Sequence, residues 1–473
     1  MVALLLRGCD LGDRPMHADE ANQAVKLGEL LEGRGYWFDP HDHHGPTLYY
    51  FARPVAWVCG KFSLAALTES SVRLTPALFG TIAVLLTAGL AAPLGRLPMV
   101  IAAAFVAVAP GAVYFSRYFI QETLLLTFLL GALLCGREWL RTSRAGWALA
   151  LGACAGLMQA TKASALFFAL AALIALWVEG GFRMPAPARL RGFALALFAA
   201  VVVAGAFYSS FGQNPSGIRD ALTSLGTMVD RATDETSGHE KPGWYYGWLL
   251  THSFGARADW RIAGFLVLAL VGYFASWRSR EPLMRFLMVY ATIITGVLSF
   301  VPYKTPWIVI HIIPPLAIFA AFAYVLLMRW RRIPPGVPIA AVAWGVLSLA
   351  WATSVVAFSR PADERNPYAY VHAVPDVQKV RPLVQAALAA HPDQDIKIIS
   401  EEYWPLPWYL RGLRHIGYWT RIPEDCDGSL VIVSADMADA VRQQLHGDYT
   451  MGYLGLRPGF VLVVFSKSAG TVP

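Results

Sequence analysis

Charged residues are scarce in this chain of 473 residues. Asp, Glu, Lys and Arg make up 15% of the sequence and hydrophobic residues 56%, whereas soluble proteins average about 25% charged residues. The mean hydropathy is +0.46. These values exclude an ordinary soluble globular protein and predict an integral membrane protein. The formal net charge of +7 comes largely from arginines between apolar segments, so we expect no nucleic-acid partner.

Cysteine is also rare. The five cysteines show no CxxC and no Cys/His metal spacing, and they are Cys9, Cys59, Cys135, Cys154 and Cys426. Two of them fall within apolar runs. The sequence therefore indicates neither a disulfide framework nor a structural zinc site.

The chain has no long internal repeat and no low-complexity segment, but it has many long apolar runs. A membrane-spanning helix needs about 20 mainly apolar residues. On that basis we predict about ten spans, near 72–93, 98–115, 119–136, 146–160, 163–178, 191–210, 261–277, 284–301, 306–328 and 337–358.

Arginines occupy every second loop between these spans. They include Arg96, Arg137, Arg141, Arg144, Arg183, Arg189, Arg191, Arg278, Arg280, Arg285, Arg329, Arg331 and Arg332. The positive-inside rule makes those loops cytoplasmic. Residues 7–70, 211–260 and everything after 360 are then outside the cell membrane. An external start requires a preceding helix, but Met1–Leu6 is far too short to span a membrane. Either the sequence begins inside the first helix or its N-terminus is translocated without one, and we favour a truncated first helix. The same apolar run is too short for a cleavable signal peptide.

The tail differs in character from the rest of the chain. Helix-like stretches at Asp376–Ala390 and Ala435–Leu445 lie between the β-rich runs "IKIIS", "SLVIV" and "FVLVVF". We therefore predict a membrane domain over 1–360 and a small extracytoplasmic α/β domain over 361–473. The aromatic segment "EEYWPLPWYLRG" could stack on sugar rings, but we favour packing of the domain onto the membrane surface.

An acidic pair, Asp19 and Glu20, stands in "HADEANQAVK" at the head of an amphipathic stretch in the first external loop. Taken alone, the pair is typical of a helix start, with Asp19 as N-cap and Glu20 as a first-turn acid.

Other ionisable residues favour a functional interpretation. Arg117, Glu122, Lys162, Lys304 and His311 lie in or beside predicted spans, and all map to the outer leaflet. Snorkelling to the interface is the alternative for the cations. Because charges inside a membrane are costly, we favour one outward-facing cleft that uses them all.

Such a cleft at headgroup depth suits a lipid-linked phosphate. Cations bind phosphate oxygens, and a carboxylate can take a proton from an attacking nucleophile. Glycosyl transfer from a polyprenyl-phosphate sugar needs both, and its transition state is oxocarbenium-like.

Four motifs in order carry a family resemblance: "MHADEANQAVKLGELLEGRGYWFDPHDHHGPTLYY", "YFSRYFIQETLLL", "ATKASA" and "VPYKTPW". They resemble the external-loop and helix-end motifs of family 39 glycosyltransferases. That superfamily contains protein O-mannosyltransferases and aminoarabinose transferases, and it has the GT-C membrane fold. "HGP", "YKTPW" and "YWPLPWYLRG" bring the chain nearest to the bacterial and archaeal flippase-activity-associated, mannosyltransferase-like subfamily.

The resemblance implies roles for five residues. Asp19 would be the catalytic base, and Glu20 would support the acceptor site. Lys304, Arg117 and Lys162 would hold the donor phosphate.

Four more residues would line the cleft or contact the acceptor: Glu122, His44, Tyr303 and His311. The segment "FDPHDHHGP" has enough donors for a zinc ion on paper. The family matches only its "HGP", so we expect a turn and an acceptor contact rather than a metal, and no cofactor.

The sequence thus predicts an inverting transferase in the cell membrane. It would move a mannose-like sugar from a polyprenyl-phosphate donor to a protein, lipid or glycan acceptor on the outer face. Two alternatives stay open. A non-catalytic transporter or flippase component would place its charges near the midplane and show inverted repeats, and a membrane anchor for a binding domain would leave the buried charges unexplained.

Overall fold

The computed structural model describes residues 1–40, 44–180, 187–233, 238–255 and 259–468. Nineteen α-helices and five strands are described in these ranges. The helices are α1 Val2–Gly8, α2 Ala18–Leu31, α3 Thr47–Val58, α4 Glu69–Ala91, α5 Arg96–Val108, α6 Pro110–Phe115, α7 Glu122–Thr142, α8 Ala145–Gln159, α9 Ala165–Val178, α10 Pro187–Tyr208, α11 Gly217–Thr233, α12 Tyr245–Thr251, α13 Ala263–Ser276, α14 Pro282–Phe300, α15 Ile313–Arg329, α16 Gly336–Thr353, α17 Val380–Ala390, α18 Leu406–Tyr409 and α19 Ala438–Gln444. The strands are β1 Ile396–Ile399, β2 Ile416–Trp419, β3 Leu430–Ser434, β4 Tyr449–Arg457 and β5 Phe460–Lys467.

Each of the ten predicted spans coincides with apolar helix. Within the described ranges, six helices are long and apolar enough to cross a membrane: Glu69–Leu94, Glu122–Thr142, Leu190–Tyr208, Pro282–Phe300, Pro306–Arg329 and Gly336–Ser359. Four further apolar helices are shorter: Arg96–Val108, Ala145–Gln159, Ala165–Val178 and Trp260–Ser276. The prediction of a polytopic helical membrane protein is confirmed.

The predicted span 98–115 is one apolar run but two helices. Pro110 has no N–H and begins α6, so α5 ends at Val108 and leaves its last carbonyls without helical donors. The buried Arg7 donates to the carbonyls of Val106 and Ala107, each at 3.0 Å. Thr353 donates to the carbonyl of Val108 at 2.7 Å. Side chains from two distant elements thus provide hydrogen-bond donors for the free carbonyls, which is necessary because no water is available inside a membrane.

The predicted first external loop contains two of the helices, α2 and α3. A stripe of small and aliphatic side chains on α2 is buried against the rest of the molecule: Ala21, Ala24, Leu27 and Leu30. The amphipathic stretch that the sequence indicated is therefore a helix, and the surface against which it packs is protein, including α3 and α18.

The C-terminal sheet has the order β2-β1-β3-β5-β4. β1 pairs in parallel with β2 and β3, and β3, β5 and β4 pair antiparallel. β1, β3 and β5 match the predicted runs, and α17 and α19 fall within the two predicted helices. The sequence pattern missed β2, which is short, and β4, whose side chains are mostly partly or fully exposed.

The segment "YWPLPWYLRG" docks the sheet onto the first loop region. Trp408 is fully buried, and its Nε1–H donates to Glu69 at 2.8 Å. The guanidinium of Arg411 lies 3.8 Å above the indole ring and donates to the carbonyl of Leu67. The Tyr409 hydroxyl accepts from the Met16 N–H at 2.9 Å. The segment therefore packs on protein.

Replacing Trp408 by Phe should loosen this docking. Phe keeps most of the buried ring but deletes the donor to a carboxylate, and a hydrogen bond to a charged group contributes about 1.5–3 kcal/mol. We expect a lower thermal midpoint and faster proteolysis between residues 361 and 405. Trp419→Phe, at a partly exposed position of β2, is the matched control and should change neither measurement.

Candidate active site

The start of α2 is built by His17. Its Nδ1 accepts from the Asp19 N–H at 3.0 Å, and its own N–H donates to Glu20 Oε2 at 3.1 Å. His17, and not Asp19, is therefore the N-cap, so the N-cap interpretation of Asp19 is wrong. The imidazole can cap because its Nδ1 accepts, which leaves Nε2 to donate to the carbonyl of Tyr370 at 3.1 Å.

Glu20 is enclosed. Its side chain has no exposed surface, and Arg73 donates to it through Nε at 2.8 Å and Nη2 at 2.9 Å. Arg14 donates at 3.0 Å, and the Phe119 N–H donates at 2.9 Å. Burial alone would raise the pKa of Glu20, but the two guanidiniums outweigh it and hold that pKa well below its usual range. Every lone-pair direction of Glu20 is used to fix the surrounding chain.

Asp19 differs from Glu20 both in exposure and in its charged partners. About half of its side chain is exposed (51%), and within the described residues its nearest basic partner is His17 Nδ1 at 3.8 Å. Its charge raises the pKa of both His239 and Tyr370, so it lies close enough to both to act on them electrostatically. Trp307 extends the same wall, with ring centroids 6.1 Å from His17 and 6.2 Å from Tyr370. Asp19 thus faces an aromatic and histidine-rich opening.

His239 and Tyr370 form a pair in this opening. His239 Nδ1 lies 2.5 Å from the Tyr370 hydroxyl. Burial lowers the pKa of His239, against the opposing charge of Asp19, and raises the pKa of Tyr370 to about 12. Both groups are therefore predominantly neutral at pH 7, and the charged side chains that act on one or both of them are those of Asp19, Glu240 and Lys241.

The "YKTPW" segment joins this wall to the loop before α12. The Tyr303 ring lies against His239 in a tilted arrangement with centroids 4.7 Å apart, and the Lys304 N–H donates to the carbonyl of His239 at 3.0 Å. The ammonium of Lys304 is buried and donates to the carbonyls of Lys241, at 3.1 Å, and Val301. Burial lowers the pKa of Lys304. Lys304 therefore anchors the loop in this structure.

Glu122 and Lys162 form a nearly buried ion pair with a distance of 2.5 Å. The charge of Lys162 acts on His311, which is buried and packs against Phe168 with ring centroids 4.3 Å apart in a tilted arrangement. The charge of Glu122 acts on Tyr246, whose hydroxyl donates to the carbonyl of Thr305. Glu122, Lys162 and His311 are thus brought together, and residues 303–305 connect them to the surroundings of Asp19.

The "HGP" motif docks beside Lys162. The Gly45 N–H donates to the carbonyl of Thr161 at 3.0 Å, and the Tyr36 hydroxyl donates to that of His44 at 3.3 Å. A Cβ on Gly45 would lie 2.1 Å from the carbonyl oxygen of Ala160, so only glycine fits. The motif therefore fixes the turn that carries Lys162.

Arg117 lies apart from this group. Its guanidinium donates to the carbonyls of Leu6, Cys9 and Asp10, and it lines a cavity of about 50 Å³ with Arg14 and Arg73. The structure shows it holding the chain between α1 and α2. Its proposed contact with phosphate stays a prediction.

Sequence reasoning missed several residues of this region. Arg73 lies one residue inside a predicted span, and an intramembrane charge is a signal that should have identified it. Arg14 precedes the acidic pair by only a few residues. His239, Lys241 and Tyr370 lie in loops without periodicity, so only the fold brings them to Asp19.

No group of three or more His, Cys, Asp or Glu side chains in the described part of the chain could hold a metal ion. Of the metal donors considered in "FDPHDHHGP", His41, Asp42 and His43 lie outside the described residues.

Comparison with known proteins supports the resemblance drawn from the motifs. Residues 43–206 match the sequence profile of the dolichyl-phosphate-mannose-protein mannosyltransferase family. ArnT from Cupriavidus metallidurans, solved bound to undecaprenyl phosphate, superposes with a TM-score of 0.70 at 14% identity, covering 98% of this chain and 96% of ArnT. The chain has the GT-C fold. No curated protein matches it by sequence.

Two other membrane glycosyltransferases share this GT-C fold. AglB, the oligosaccharyltransferase of Archaeoglobus fulgidus, was solved with an inhibitory peptide and a dolichol-phosphate. It gives a TM-score of 0.57 at 13% identity, covering 100% of this chain and 74% of AglB. The mycobacterial arabinofuranosyltransferase AftD gives 0.56 at 14% identity, covering 99% of this chain and 39% of AftD. The profile match begins after Asp19 and Glu20, so their roles depend on the geometry above.

Proposed function

We propose that this GT-C protein is an inverting membrane glycosyltransferase that uses a polyprenyl-phosphate sugar, with Asp19 as the general base. The observation that carries the proposal is the contrast between two adjacent carboxylates. The carboxylate of Glu20 already accepts hydrogen bonds from two arginines and two backbone N–H groups, so it has no acceptor capacity left for a substrate. Asp19 is held rigidly by the same helix start, yet its carboxylate is open to an incoming acceptor.

The chemistry follows from that position. An acceptor hydroxyl attacks the anomeric carbon while Asp19 takes its proton. The bond from the anomeric carbon to the phosphate oxygen breaks, and the electron pair leaves with the phosphate. A single displacement inverts the anomeric centre. Because a phosphate is already a stable leaving group, no general acid is obligatory, and the proposal includes no cofactor.

The donor phosphate requires nearby cations. Lys304, Lys162 and Arg117 are the sequence-based candidates. The ammonium of Lys304 lies on backbone carbonyls and that of Lys162 lies on Glu122, whereas Arg117 lies apart from them on the chain between α1 and α2. Lys241 is a fourth candidate. Its ammonium lies 5.7 Å from the Tyr370 ring, and among the described residues it has no carboxylate partner. ArnT was solved with undecaprenyl phosphate and AglB with a dolichol-phosphate, which supports a lipid-phosphate donor here.

The arginine-rich loops support placement of the opening and the C-terminal sheet on the outer face of the cell membrane. The sugar is proposed to be mannose-like, because the profile match is to a mannosyltransferase family. The acceptor is a protein, a lipid or a glycan.

The decisive experiment is transfer by the purified full chain from radiolabelled polyprenyl-phosphate sugars, with mannose among them. We expect label to leave the lipid fraction in proportion to protein. If label crosses proteoliposome membranes without leaving its lipid carrier, the transporter alternative holds and the proposal is wrong.

Lys241→Met should weaken the binding of undecaprenyl phosphate by about 10-fold or more, since the variant deletes a charge-assisted hydrogen bond to phosphate. The measurement is a titration of the lipid against the purified variant. Lys379→Met, on the exposed surface next to α17, removes the same charge elsewhere and should bind normally. Lys304→Met and Lys162→Met belong in the same series. Equal affinity for Lys241→Met and wild type would remove Lys241 from the donor site.

A further inference from the structure

A second site lies in the C-terminal sheet. A cleft of about 460 Å³ opens between the residues that follow β1, the residues that follow β3, and the β4–β5 turn. Its lining includes Glu401 and Glu402 after β1, Ser434 at the end of β3 and Asp436 just after it, and Phe460 and Val461 of β5. This volume falls within the range of about 300–1,000 Å³ that is typical of small-molecule pockets.

The topology makes this edge of the sheet a binding position. From β1 the chain moves to β2 on one side, and the third parallel strand, β3, lies on the other side of β1. The carboxyl ends of β1 and β3 therefore flank a topological switch point, where loops diverge and leave a crevice. Open α/β sheets bind their ligands at such points.

Ser434 is the second and independent indication. Its side chain is at the end of β3 and lines the cleft, the residue is only 4% exposed, and its Oγ has no hydrogen-bond partner among the described residues. A buried hydroxyl without a partner costs stability. A ligand in the cleft would supply the partner. Ser400, fully buried beside it, already accepts from the Glu402 N–H at 3.1 Å.

The lining combines acceptors with apolar surface. Glu402 is paired with Arg457 at 3.0 Å, whereas the exposed Glu401 and Asp436 have no basic partner within 4 Å in the described ranges. Phe460 and Val461 provide the apolar side. Carboxylates accept hydrogen bonds from hydroxyl groups, and the C–H face of a sugar ring packs on apolar side chains.

We propose that this switch-point cleft binds a saccharide, with Ser434 and Asp436 hydrogen-bonded to its ring hydroxyls and Phe460 against its apolar face. The site does not depend on the transferase proposal, because it shares no residue with the opening around Asp19. A saccharide fits the lining better than a metal ion, since no three acidic side chains of the described residues converge on one point.

The test is ligand-observed saturation-transfer NMR on the full chain in nanodiscs. The probes are the methyl glycosides of glucose, galactose, mannose and arabinose, with CaCl2 and spermidine as competitors. We expect saturable binding of at least one glycoside. Ser434→Ala should weaken it about 3–10-fold and Asp436→Asn about 10-fold or more. Glu424→Gln, an exposed acid of the same unit outside the cleft, is the control and should bind normally.

Stability measurements make the result decisive. Ser434→Ala should melt no lower than wild type, because it removes an unpartnered buried hydroxyl, so a loss of binding cannot be ascribed to misfolding. Asp19→Asn should keep glycoside binding, which separates this site from the transferase. The proposal is overturned if no glycoside binds saturably, if Ser434→Ala and Asp436→Asn bind like wild type, or if calcium or spermidine alone occupies the cleft.

Discussion

Asp19→Asn is expected to lower sugar transfer about 10²–10⁴-fold, the usual contribution of a general base. Asn is nearly isosteric with Asp but cannot accept the proton of the attacking hydroxyl. The measurement is single-turnover release of label from the polyprenyl-phosphate donor. Folding should be unaffected, because the Asp19 side chain is half exposed and only its backbone N–H takes part in the helix cap.

Two comparisons sharpen this result. Donor affinity should be unchanged in Asp19→Asn, because the base acts on the acceptor. His17→Asn tests the alternative that any disturbance of the helix start abolishes activity, since Asn also caps well and leaves the Asp19 carboxylate in place. Turnover of Asp19→Asn within a few-fold of wild type would contradict the assigned role.

Glu20→Gln should have the opposite phenotype, a large loss of stability. Removing one partner of a buried ion pair costs about 3–5 kcal/mol, because the remaining charges stay buried without compensation. Here the amide would leave Arg14 and Arg73 facing each other with no carboxylate between them. We expect a fall in the thermal midpoint or in the yield of folded protein, measured by thermal unfolding in detergent.

Asp19→Asn is the matched control, since it deletes the same charge one residue away and should melt like wild type. The pH dependence has a definite sign. The pKa of folded Glu20 lies below its ordinary value of 4.5, so its stabilisation is complete above that pH and is lost as the pH falls through the folded pKa. If Glu20→Gln melts like wild type, the arginine pairing is not what holds the first loop.

The length of the apolar runs predicted the helices, because burial in lipid depends on local composition. The same criterion failed where hydrogen bonds from distant side chains to backbone groups determine where a helix ends. Pro110 divides a continuous apolar run, and the break is tolerated because the side chains of Arg7 and Thr353 donate hydrogen bonds to the carbonyls that it leaves free. β4 was missed because its side chains alternate weakly and its pairing with β5 supplies the order.

The sequence pattern put the acidic pair at the start of a helix, where the structure has it, but the different environments of its two members could not be predicted. Arg73 lies 53 residues from Glu20, and its contact with that carboxylate depends on how α4 packs against the first loop. His239 and Tyr370 reach Asp19 from segments more than 200 residues away. Sequence motifs identified the residues that carry charge, and only the fold shows which charges are already neutralised.

The break between α5 and α6 has an evolutionary consequence. The roles of Pro110, Arg7 and Thr353 depend on one another, because the proline leaves carbonyls free and the other two residues donate hydrogen bonds to them. A lineage that regains a continuous helix would leave the buried Arg7 without two of its three carbonyl acceptors, and one that loses the arginine would leave carbonyls without donors. Substitutions at these three positions should therefore be correlated among relatives of this chain, and chimaeras that exchange only one of the three segments should fail to fold.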